Sequence, residues 1–267
     1  MKRSLAFALA LALALALLPL AAGEALADGK ETLEAARAAY YSLRREGLAS
    51  FTCLATPNWD GILAERRRTD PAAADKAYKT LSALTFGVEV APGRRAKVFH
   101  TDPPGGFSGT EKEIEALKHI TAGTEQTLAG FFDAWGPFVM TTPIPPPTAE
   151  VAEAPGLWIV DFKEGKTTVG LVMHHDYTIE TTRLASDTFS SLIQPQFVKS
   201  PKGLLLTALQ GQYRQMPTGT AVSLQLRVEY QDVTGFLLPK HLWVSSHNGR
   251  AVTQMDLAFS TCQAQRR

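Results

Sequence analysis

The chain has 267 residues with 27 basic and 26 acidic side chains, a formal net charge of +1, which argues against nucleic acid as a partner because binding a phosphate backbone needs a basic stripe. Its two local basic clusters, Arg66-Arg67-Arg68 and Arg94-Arg95, are short and interrupted by acids, and they read as solvated helix or loop faces.

Lys2 and Arg3 precede an apolar stretch from Leu5 to Leu18, Pro19 breaks it, and Ala25-Leu26-Ala27 supplies small residues of the kind signal peptidase reads. Residues 1–27 are therefore expected to be a removable export signal, cleaved after Ala27, rather than a membrane anchor. No cysteine lies near the cleavage site, so no lipid anchor is expected and the product should be periplasmic or secreted. Cleavage removes Lys2, Arg3 and Glu24 and leaves basic and acidic residues in equal number. Residues 28–267 are expected to form one domain, since sheet-rich folds reach that length as single units.

Asp28 and Glu31 have the spacing of a capping box, and Leu33, Ala36, Tyr40 and Leu43 recur on one helical face until Gly47. Leu48 to Thr56 is β-prone and ends at Pro57-Asn58. Ile62 to Arg68 and Ala72 to Leu84 read as helices, with Pro71 suited to a first turn. Thr85 to Val90, a Pro92-Gly93 turn and Ala96 to His100 read as a hairpin. The strongest helical signal runs from Glu111 to Trp135: Thr110 and Glu113 cap it, Ile114, Leu117, Ile120, Thr124, Leu128, Phe131 and Trp135 share one face, and Gly136-Pro137 is expected to end it.

After the extended segment Thr141 to Pro147 the period becomes 2. Trp158, Val160 and Phe162 share a face, as do Val169, Leu171 and Met173. Val222, Leu224, Leu226, Val228 and Tyr230 alternate with polar residues and form the cleanest half-buried strand. Leu204 to Tyr213, Gly235 to Ser245 and Val252 to Cys262 complete the series, separated by turns at Pro217-Gly219, Asp232-Gly235 and His247-Gly249. The expected fold is α+β: a large curved antiparallel sheet, a half-barrel, covered by a few helices.

Cys53 and Cys262 are the only cysteines; in an exported protein they are expected to be bridged, with two buried thiols as the alternative. The segment from Val228 through Tyr230, Gly235, Leu238 and Pro239 to Val244 is similar to the penultimate hairpin of the LolA/LolB-like superfamily, and the order of elements follows that group along nearly all of residues 28–267. The resemblance implies a periplasmic half-barrel that carries lipoproteins or other lipidic cargo, with transient contacts to membrane proteins of the envelope.

No G-x-S-x-G elbow, Walker loop or dinucleotide fingerprint occurs, so no catalytic residue and no cofactor is expected. Pro103 to Gly109 is Gly-rich before a helix start but lacks the lysine and spacing of a phosphate loop, and it reads as a flexible connection. His174-His175-Asp176 has metal-binding chemistry but the wrong geometry: on a strand, adjacent imidazoles point to opposite faces. The expected function is to hold a lipid, acyl chain or other hydrophobic ligand as a monomer. The cavity wall would be Trp158, Val160, Phe162, Val222, Leu224, Leu226, Val228 and Tyr230, with Phe131, Phe132 and Trp135 on the lid side. The alternative is a structural or interaction module of the envelope in which the same residues fill a core.

Overall fold

The computed structural model describes residues 21–249 and 251–267; of the export signal expected over residues 1–27, residues 1–20 lie outside the described residues. The helices are α1 (Ala21–Ala39), α2 (Trp59–Ile62), α3 (Ala64–Thr69), α4 (Pro71–Leu81) and α5 (Glu111–Val139). The strands are β1 (Leu48–Pro57), β2 (Thr85–Val90), β3 (Lys97–Thr101), β4 (Glu150–Ala154), β5 (Leu157–Glu164), β6 (Thr167–His174), β7 (Ile179–Ala185), β8 (Phe189–Ser200), β9 (Gly203–Gln215), β10 (Ala221–Val233), β11 (Phe236–Asn248) and β12 (Ala251–Arg266). All twelve pair in one antiparallel sheet, in the order β3-β2-β1-β12-β11-β10-β9-β8-β7-β6-β5-β4, open at β3 and β4.

The β10–β11 hairpin shows how the local sequence sets the register. Thr234 and Gly235 both have positive φ, the two-residue turn that matches strand twist, and Asp232 Oδ1 accepts from Gly235 N at 2.7 Å. The ladder then runs from Val233↔Phe236 to Val222↔Asn248, with a bulge where Pro239, which has no N–H to donate, lies opposite Tyr230.

The sheet curls around α5. Within a single helical turn, Glu125 bonds His100 of β3 at 2.8 Å, while Gln126 and Thr127 line a cavity shared with Leu224 of β10, Ser246 of β11 and Thr253 of β12. At about 4.8 Å per strand, β3 and β10 would stand more than twenty ångströms apart in a flat sheet, roughly twice the diameter of a helix. Only a curved sheet brings both to one turn.

Helix boundaries differ from expectation at three places. First, α5 does not stop at Gly136-Pro137 but continues to Val139 with Pro137 inside it. Pro137 forfeits one hydrogen bond, yet Phe138 and Val139 are buried, and the Val139 and Met140 carbonyls accept from Leu43 N at 2.9 Å and Arg44 N at 3.1 Å. Second, α1 runs through Asp28 from Ala21, so Asp28 and Glu31 do not cap it, and it ends at Ala39 rather than Gly47. Tyr40 and Tyr41 leave the helix because the chain docks beside β9: Tyr40 bridges Leu204, and Tyr41 N donates to Leu204 O at 2.9 Å. Gly203 allows this approach, since a Cβ there would sit 2.6 Å from the Ala39 carbonyl oxygen. Third, the helix expected over Ile62 to Arg68 is split between α2 and α3, and the one expected to reach Leu84 ends at Leu81. Asn58 accepts from Gly61 N at 3.1 Å and starts α2, and Asp70 accepts from Ala73 N at 3.1 Å and starts α4.

Two apolar clusters result. The larger joins α5 to β1, β2 and β9–β12, and the smaller joins Leu33 and Ala36 of α1 to Val160, Leu171, Met173 and Ile179. Cys53 and Cys262 are bridged between the paired strands β1 and β12. Among the described residues, no helix is long and apolar enough to cross a membrane.

Candidate functional site

Strand alternation and register place the candidate wall residues in rows on one face. Phe162, Val169, Leu184, Ser191, Tyr213 and Val222 lie opposite one another across six strands, β5 to β10. The next row is Val160, Leu171, Thr182, Ile193, Gly211 and Leu224. Trp158, Val160 and Phe162 therefore belong to the same surface as Val222, Leu224, Leu226 and Val228, although more than fifty residues separate them in the chain. That juxtaposition depends on β6 to β9 and cannot be read from either strand alone.

This face is filled unevenly. Leu226 and Val228 are buried in the larger cluster with Phe131, Phe132 and Trp135. Trp135 is fully buried and is core, not a lid: its indole Nε1 donates to Tyr230 Oη at 2.9 Å, and Tyr230 Oη donates to Leu206 O at 2.6 Å. Burial keeps the Tyr230 hydroxyl protonated far above the ordinary tyrosine range, so it remains a donor. Its neighbour Tyr41, pushed up to about 12 by burial, accepts from Leu237 N at 2.9 Å. Tyr40 ties the end of α1 to β7 by donating to Tyr177 O at 2.6 Å and accepting from Ile179 N at 3.0 Å. Helical periodicity marks Tyr40 as buried but carries no signal of this staple.

Farther along the strands the face is left hollow on both flanks of α5. A cavity of about 720 Å³ lies between the C-terminal turns of α5 (Phe132, Met140), the proline segment and Phe162, Val169 and Leu184 of the sheet. A second, of about 330 Å³, lies under the middle of α5 against Leu224, Leu226, Val244 and Met255, with Phe131 at its end. A third, of about 770 Å³, is formed by β7–β11 and shares Leu184 with the first. Gly123 and Gly130, two helical turns apart, line the second cavity, and a Cβ at either would touch nothing within 4 Å. Glycine inside a helix costs about 1 kcal/mol relative to alanine, and no close contact here demands it. Val160 packs in the smaller cluster, and the ring of Trp158 lies 4.9 Å from that of His175.

His174 and His175 do not converge: His174 Nε2 approaches Glu180 at 3.7 Å and His175 Nε2 approaches Glu153 at 3.6 Å. A different histidine carries the notable electrostatics. His100 Nδ1 meets Glu125 Oε1 at 2.8 Å and Nε2 meets Asp102 Oδ1 at 3.1 Å, so the edge strand β3 is latched to α5. The Glu125 hydrogen bond, the largest cause, raises its pKa above the ordinary value, against a smaller opposing effect of burial. A pKa raised on folding contributes stability that is complete below the unfolded value, about 6.5, and is lost as pH rises through the folded value. The unfolding free energy of the native chain should therefore fall relative to that of His100→Gln as pH rises from about 6 to 8 in parallel urea titrations. Equal pH slopes for the two proteins would refute the latch.

Comparison with protein-family models, curated proteins and solved structures gives no match. The geometry above therefore carries the functional argument alone.

Proposed function

We propose that this protein is an exported, periplasmic or secreted, binding or carrier protein that holds a lipid, acyl chain or other apolar ligand between α5 and the inner face of its half-barrel sheet. The observation that carries this reading is the hollow beside the aromatic end of α5. At about 720 Å³ the larger flanking cavity falls in the range of small-molecule sites, about 300–1,000 Å³, and apolar side chains from the sheet line it. Each CH2 buried there contributes about 0.8 kcal/mol, so a chain can be held without any dedicated polar contact. The bridge between Cys53 and Cys262 agrees with an oxidising compartment, as export would provide.

Native mass spectrometry of protein purified from its source is expected to show lipid-sized adducts, and the delipidated protein should bind a fluorescent fatty-acid probe saturably. Leu184→Trp, at the wall shared by two cavities, should weaken the probe at least about tenfold, whereas Gly130→Leu, which places a side chain in the separate smaller cavity, should leave it unchanged. Gly130→Leu should at the same time raise helix stability. Clean spectra together with no saturable binding would return the protein to the alternative, an envelope module with no small ligand.

A further inference from the structure

We infer that the ligand of the 720 Å³ cavity is an anionic amphiphile, a carboxylate or phosphate group on a long apolar tail, whose head is held by Arg94 and Arg95; this rests on the binding reading above. The cavity is polarised. Its apolar wall comes from Phe132, Met140, Phe162, Val169 and Leu184, whereas the β2–β3 loop brings Arg94 and Arg95 side by side to its rim. Neither arginine forms an ion pair or a side-chain hydrogen bond with any described residue. By contrast, Arg66, Arg67 and Arg68 of the other basic cluster each have a carboxylate partner.

Among the remaining charged residues of the wall, Lys163 adds a third cation, while Asp133 and Glu164 are carboxylates on α5 and the end of β5. Cations thus outnumber carboxylates three to two, and the two adjacent arginines form the cationic pole. Two guanidinium forks on one loop suit a planar carboxylate or a phosphate, which they can grip through paired charge-assisted hydrogen bonds. An uncharged or cationic head would leave them without that gain. The same two residues that read in sequence as a solvated loop face are placed by the hairpin at the mouth of an apolar hollow.

The test compares purified, delipidated protein against ligands of one tail length, hexadecanoate, hexadecyl phosphate, hexadecanol and hexadecylamine, by displacement of a fluorescent fatty-acid probe at pH 7. The two anions should bind at least about tenfold tighter than the alcohol, the margin shrinking at high salt. Arg94→Ala/Arg95→Ala should abolish that margin, lowering anion affinity at least about tenfold more than hexadecanol affinity. Arg94→Glu/Arg95→Glu should make the amine the preferred ligand. Inorganic phosphate at millimolar concentration should fail to displace the probe, which distinguishes an amphiphile site from a free-anion site; displacement by phosphate would overturn the inference. Equal affinity for anion and alcohol, or an anion preference that survives the double alanine variant, would also overturn it while leaving the apolar binding reading intact. Failure of all four ligands and the probe to bind would remove both together.

Discussion

Cys53→Ser/Cys262→Ser is expected to lower the unfolding free energy by about 5 kcal/mol, the largest single effect in the molecule. The bridge joins residues 209 apart, nearly the two ends of the described fold, and cross-linking so long a loop removes much of the entropy of the unfolded chain. It acts where the sheet is hardest to assemble. β1 and β12 are adjacent in the sheet but come from opposite ends of the sequence, so their pairing carries a large loop-closure cost. The cysteines sit at a bulge: Thr52 pairs with Gln263 and Leu54 with Ser260, so Cys53 faces two residues, Thr261 and Cys262, and Thr261 takes a positive φ. The extra residue turns the strand locally, as bulges do, and the two sulfurs meet there. Urea denaturation of the oxidised protein and the double serine variant would measure the difference. A change below about 1 kcal/mol would show that the chain-entropy argument fails here.

Trp135→Ala should cost about 3–5 kcal/mol, the range for deleting a buried aromatic side chain from a packed core. The indole packs among Phe51, Phe131 and Phe132, with ring centroids 6.5, 5.8 and 5.8 Å away, so its removal opens a void that three other rings line. It also takes from the Tyr230 hydroxyl its donor, leaving that oxygen only its own bond to Leu206 O. Tyr230→Phe should cost about 1–3 kcal/mol because it leaves both the indole N–H and the Leu206 carbonyl without this partner in a buried place. Trp135→Phe combined with Tyr230→Phe should cost less than the sum of the two single changes, since each alone orphans a group the other would also remove. Strict additivity in thermal or urea unfolding would mean that the hydrogen bond does not join these residues in solution.

How much was legible in advance depended on how local the cause was. α5 announced itself because its apolar period, its Thr110–Glu113 capping box and its length all agree, and both halves of the box form. Its end is not legible locally because Gly-Pro is a strong local stop, whereas burial of Phe138 and Val139 and donors from Leu43 and Arg44 are distant causes. The β10–β11 hairpin was legible from alternation on both sides of Asp232 to Gly235. The apolar period of α1 continues to Leu43, beyond the helix itself, because the backbone at Tyr40 and Tyr41 pairs with Leu204 instead. For the site, alternation identified which wall residues share a face within a strand. Which of them line a hollow and which fill the core was not visible, and the placement of Arg94 and Arg95 at a cavity rim without an ion-pair partner among the described residues gave no sequence signal at all.

Composition, periodicity and turn chemistry were sufficient for the class of this molecule: an α+β architecture, a long antiparallel sheet, a capped central helix and a pair of cysteines suited to bridging. These follow from forces that act between residues a few positions apart. The order of twelve strands, the curl that wraps β3 and β10 round one helical turn, the knot of Trp135 with Tyr230 and the cavity with two adjacent arginines at its rim needed the assembled chain. They arise from contacts between residues tens to hundreds of positions apart, where packing and register, not local preference, choose the neighbours.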